Sequence, residues 1–163
     1  MGKRRLARER AVQFLFQYDV NPPQDTDDAL EQFWITHRQA LVEGEKDKAR
    51  YGEPIVLPPI TATELATRAF ADSLIKGVLK NRDAIDMFIS KYSQNWDIHR
   101  MSVVDRNVLR LAIYEMKYCE EIPPVVSINE AVDIAKKYST EESGKFVNGI
   151  LDKVRSDLMR PSR

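Results

Sequence analysis

A chain of 163 residues that sets 25 Lys and Arg against 25 Asp and Glu has no net charge with which to coat a polyanion, so any nucleic-acid contact has to come from a local patch. Its 43% apolar content suits a soluble globular fold, and no apolar run approaches the roughly 20 residues that span a bilayer. The single cysteine, Cys119, excludes an internal disulfide, and the basic start lacks the apolar core and cleavage site of a secretory signal, which points to the cytoplasm.

The first predicted helix runs from about Lys3 to Val20 and stops at Asn21-Pro22-Pro23. At 100° per residue, Ala7, Ala11, Phe14 and Tyr18 form a core-facing stripe. Arg4, Arg5, Arg8 and Phe16 share the flank beside it, and Arg10 lies across the polar side. Arginines in a first helical turn oppose the helix dipole, by roughly 0.3–1 kcal/mol each. Acids are the usual occupants there, so the inversion suggests an anionic partner. A guanidinium offers phosphate a planar fork of two donors and stacks on unpaired bases. A solvated charged flank is the alternative reading of the same residues.

A second helix is predicted from about Asp25 to Glu43, with Leu30, Phe33, Trp34 and Leu41 at helical spacing. Residues 44–60, with Pro54, Pro58 and Pro59, read as a loop. A third helix starts near Thr61 and bends near Asn81, after which Ile85, Phe88, Ile89 and Tyr92 continue the pattern as a separate helix. Ser102 to Cys119 is the most apolar stretch, with Val104, Val108, Leu111, Ala112, Ile113 and Met116 spread over a wide arc, so it is expected at the centre. Pro123-Pro124 ends it, and amphipathic helices follow over about Val125–Tyr138 and Thr140–Met159. Capping boxes are expected at Thr61/Glu64, Ser127/Glu130 and Ser139/Glu142, with a weaker one at Ser102/Asp105. Gly149, inside the last helix, is expected to admit a close helix neighbour. The fold class is all-α, a compact bundle.

Catalytic and metal chemistry have no support in the residues. His37 and His99 stand alone, and Cys119 has no CxxC partner. Ser143-Gly144-Lys145 lacks the earlier glycine, the following Ser or Thr and the preceding strand of a phosphate-binding loop. No G-x-S-x-G elbow occurs, and Asp27-Asp28 and Glu120-Glu121 read as solvated surface. No catalytic residue, metal or cofactor is expected.

The stretches RRLARERAVQFLFQYD, DRNVLRLAIYEM, IPPVVSINEAVDIAKKYS and KFVNGILDKV together resemble the NusB family of bacterial transcription antitermination factors. The likeness covers the first 20 residues and nearly everything from Lys76 onward, with little between 21 and 61. It implies about seven helices in two three-helix-type subdomains, near 1–80 and 81–163. It also implies binding without catalysis: a boxA element of single-stranded RNA is held jointly with NusE, a protein of the small ribosomal subunit, to keep RNA polymerase complexes from terminating, notably on ribosomal RNA operons. Carried over by position, the family's RNA contacts fall on Arg4, Arg5, Arg8 and Phe16, with Leu6 where relatives often have another arginine. A second RNA-facing patch falls on Glu142, Lys145 and Phe146, and the NusE-facing acid on Asp105.

Each of these positions has a structural reading as well. Phe146 shares a face with Ile150 and Val154, Lys145 suits plain exposure, and Glu142 and Asp105 suit helix capping. Two other functions compete. One is a self-associating scaffold whose homodimer covers the RNA face through Leu15, Phe16 and neighbouring aromatics. The other is the helical domain that precedes the catalytic domain in some ribosomal RNA methyltransferases. The chain holds no Gly-rich strand–loop–helix for S-adenosylmethionine, which counts against the latter.

Overall fold

The computed structural model describes residues 3–46, 58–94 and 97–158, and among these every regular element is helical. Helix α1 (Lys3–Val20) ends ahead of the Pro22-Pro23 pair. Asp25 caps α2 (Thr26–Lys46), its carboxylate accepting the Asp28 amide at 3.1 Å. That helix outlasts its expected end at Glu43, so Gly44, expected in a loop, is helical; residues 47–57, Pro54 included, lie outside the described residues, as does Met159.

Thr61 caps α3 (Ala62–Lys80) by accepting the Glu64 amide at 3.1 Å. The expected bend falls at Asn81, whose side-chain amide donates to the Gly77 carbonyl at 2.8 Å before α4 (Arg82–Tyr92) sets off. A 3₁₀ turn at Ile98–Arg100 leads to α5 (Val103–Tyr118), where Ser102 accepts the Asp105 amide at 3.0 Å. The chain finishes with α6 (Pro124–Tyr138) and α7 (Glu141–Leu158).

Two of the expected caps are corrected. Ser127 lies inside α6, because Pro123 and Pro124 already supply a preset φ and open the helix four residues sooner. Its buried hydroxyl donates instead to Glu115 of α5 at 3.1 Å. At α7 the cap is Thr140, which accepts the Ser143 amide at 3.0 Å, and Ser139 is left to hydrogen-bond the Ser143 hydroxyl. Glu142 is therefore not the reaching acid of a capping box. It stands exposed in the first turn, where its charge suits the helix dipole.

As its apolar arc predicts, α5 is the axis of the bundle, packed against α1, α3, α4, α6 and α7. Leu109 and Ile113 of α5 are fully buried with Leu74 and Ile75 of α3 and Leu151 of α7. Truncating any one to Ala would cost about 2–5 kcal/mol. The close approach expected at Gly149 occurs elsewhere, since a Cβ there would meet nothing within 4 Å. It occurs at Gly77, where a Cβ would lie 2.0 Å from the Tyr114 ring of α5.

Candidate nucleic-acid interface

Helix α1 does not have one buried stripe and one open flank. It packs against α3 on one side and α5 on another, so Arg8, Glu9, Val12 and Leu15 are buried along with Ala7, Ala11 and Phe14. Leu15 is 2% exposed and belongs to the core, which removes it from the apolar surface expected of a self-associating scaffold. The sequence wheel places the arginines in the right order around the axis but leaves out the second wall.

That second wall sorts the three arginines. Arg8 is the most enclosed: it is 3% exposed, and its guanidinium grips Glu115 with Nη2 at 2.7 Å and Nε at 2.9 Å and 3.1 Å from the two carboxylate oxygens. A buried carboxylate needs both a countercharge and donors, and Arg8 with Ser127 meets that need from two helices. Nη1 makes no hydrogen bond among the described residues, but the side chain is only 4% exposed, so little of the guanidinium is open to a phosphate. Arg5 is half-buried, its Nε donating to Glu130 and its Nη2 to Asp133 of α6 at 2.8 Å. The Glu130 hydrogen bond leads in raising the Arg5 pKa above its ordinary value, against a smaller opposing effect of burial. Arg4 is exposed and makes no ion pair among the described residues. Its guanidinium carbon sits 4.7 Å from the centre of the Phe70 ring, which Arg8 also approaches at 5.6 Å. Lys3 is exposed beside it, and α1 has no acid in its first turn to answer either charge.

The other expected contacts stand apart from these. Phe16 is 40% exposed, three turns further along α1. Glu142 and Lys145 are both exposed at the start of α7 and face one another at 3.5 Å. Phe146 is partly buried and packed against the core, in keeping with its structural reading. Asp105 is 9% exposed: one carboxylate oxygen accepts from the Ser143 hydroxyl at 3.2 Å, and the other, Oδ1, has no hydrogen-bond partner among the described residues. Ser143 thus joins the start of α5 to the first turn of α7, putting Asp105 next to the Glu142 and Lys145 patch.

Sequence reading missed the charged partners that answer α1. Besides Glu130, Asp133 and Glu115, Lys137 of α6 reaches Glu9 at 2.6 Å. At the far end of α1, Asp19 takes Arg106 at 2.6 Å and Arg110 at 2.8 Å, and Arg110 goes on to Asp86 of α4. Burial alone would raise the Asp19 pKa, but the Arg106 hydrogen bond and the Arg110 charge outweigh it and hold the group at about 2. No group of three or more metal-binding side chains occurs among the described residues, and His37 lies edge-on to Phe33 at 4.4 Å. None of their helices is long and apolar enough to cross a membrane.

The model of the NusB family matches residues 5–156. The transcription antitermination protein NusB of Myxococcus xanthus is 42% identical over 161 residues, covering 99% of this chain and all of the relative. Its namesake in Bacillus cereus is 40% identical over 156 residues, covering 96% and 99%. Among solved structures, NusB of T. maritima superposes with a TM-score of 0.71 at 36% identity, over 94% of this chain and 91% of that one. A chain from a crystal structure of the antitermination factors NusB and NusE in complex with dsRNA gives 0.69 at 25% identity, over 96% and 98%.

Proposed function

This chain belongs to the NusB family, and on that premise we propose that it is a transcription antitermination factor that binds single-stranded boxA-type RNA together with NusE. The observation that carries the reading is the full-length match to NusB proteins, which takes in both the basic start of α1 and the Glu142–Phe146 turn of α7. The factor acts by binding rather than by catalysis, in the cytoplasm, within the RNA polymerase antitermination complex. Lys3 and Arg4 supply open positive charge, Arg5 a further fork, and Phe16 an exposed ring for a base to stack on. Glu142 and Lys145 add a second edge. Asp105 suits the NusE side: its Oδ1 is buried and unanswered at a helix start, and a donor from a bound protein would satisfy it.

With Arg8 committed to Glu115 and Arg5 answered by Glu130 and Asp133, about two phosphates remain for Lys3 and Arg4, and the logarithmic salt slope is expected near −1.4 rather than the −2 of three contacts. The test is a titration of labelled boxA RNA with and without NusE, for the unaltered protein and for Arg4→Ala. Tighter binding with NusE and weaker binding after the substitution support the reading. Affinity unchanged by both would overturn it.

A further inference from the structure

The three arginines of α1 differ in how firmly their charges are already taken. Arg4 has only a ring beneath it. The Arg8 and Glu115 side chains are 4% and 1% exposed, so separating them would strand a buried charge. Arg5 lies between these extremes: its side chain is 24% exposed, Glu130 is 21% and Asp133 is 52%. Pairs this open to water are worth little and exchange readily. Yet the two carboxylates occupy Nε and Nη2, one of the two edges of the fork that a phosphate could use. The cluster of one guanidinium and two carboxylates is net negative, so an approaching phosphate meets repulsion where the sequence suggests attraction.

We infer that Glu130 and Asp133 compete with RNA phosphate for Arg5, and that this competition sets the affinity threshold of the α1 face. The inference rests on the RNA reading above and names a regulating pair within that same site. An RNA held by charge alone gains little at Arg5, because it must first displace two anions that are already in place. An RNA that also engages Phe16 or the start of α7 has other contacts to offset the exchange. The pair thereby keeps the basic helix from holding any passing polyanion, while Arg4 and Lys3 still draw one in.

The experiment measures binding of labelled boxA RNA, by anisotropy in the presence of NusE and across a salt series, to the unaltered protein and to Glu130→Gln/Asp133→Asn. The freed Arg5 adds about one phosphate contact, so binding tightens about three- to tenfold at low salt and the slope steepens by about 0.7. Adding Arg5→Ala in the same background must remove the gain. Asp133→Asn alone, at the more exposed acid, serves if the double variant melts early, and a smaller tightening of the same sign is expected. Unchanged or weaker binding by a folded variant, or a gain that survives Arg5→Ala, overturns the competition. Arg4→Ala separates the two levels. Weakening there without any gain from the acid substitutions sinks this inference alone, and no weakening there together with no gain from NusE sinks the RNA reading and this inference with it.

Discussion

Replacing Arg8 with Ala distinguishes a buried strut from an RNA contact. The guanidinium donates three hydrogen bonds of 2.7–3.1 Å to Glu115, and that carboxylate keeps only the Ser127 hydroxyl once they are gone. Removing one partner of a buried pair costs about 3–5 kcal/mol, because the other charge stays uncompensated. Against a total of about 5–15 kcal/mol for a domain, that is a large share, and the melting temperature should fall by about 6–20 °C. Urea unfolding followed by far-ultraviolet circular dichroism measures it. The paired replacement Arg8→Met/Glu115→Leu removes both charges and fills part of the space, so it should recover most of the loss. RNA affinity of Arg8→Ala, measured in the cold where the protein is folded, should stay within about twofold of the unaltered protein. A stability change under 1 kcal/mol together with a loss of RNA binding as deep as that of Arg4→Ala would refute this placement of Arg8.

Three further outcomes are expected. Asp19 is held at about 2, below its unfolded value, so the stability it contributes is present above about pH 4 and is lost as pH falls toward 2. Asp19→Asn should flatten the acid limb of a pH–stability profile across that window, removing roughly 1–2 kcal/mol of pH dependence. Gly77→Ala forces a methyl against Tyr114 and should destabilise by about 1–3 kcal/mol in urea unfolding. Gly149→Ala meets nothing within 4 Å and should stabilise by up to about 1 kcal/mol in the same assay.

Local signals proved legible where a single residue decides the outcome. Thr61 and Ser102 each accept the amide three residues on, Asn81 breaks α3 from α4, and the Pro22-Pro23 pair follows the end of α1. They failed where two candidates sat side by side. Ser139 and Thr140 both carry a hydroxyl, and it is Thr140 that takes the Ser143 amide while Ser139 meets the Ser143 side chain. Ser127 has the spacing of a capping box, but two prolines upstream had already started the helix. The candidate interface was legible as composition and not as availability. Arg5 meets acids 125 and 128 positions away, and Arg8 one 107 positions away. No periodicity along a chain records such pairings, because they depend on which helix lies across from α1. A wheel drawn for one helix assumes one buried side, and α1 has two.

Those distant pairings carry a consequence for synthesis. The basic helix leaves the ribosome well before the side chains that quiet it: Arg106 and Arg110 for Asp19, Glu115 for Arg8, then Glu130, Asp133 and Lys137. At about 5–20 residues per second, residue 137 follows α1 by roughly 6–27 s. Throughout that interval a nascent chain exposes Arg5 and Arg8 without the acids that answer them in the folded protein, in a setting crowded with ribosomal RNA. Early release of the chain before α6 would leave a fragment whose Arg5 has neither of its acidic partners, rather than a smaller version of the same protein.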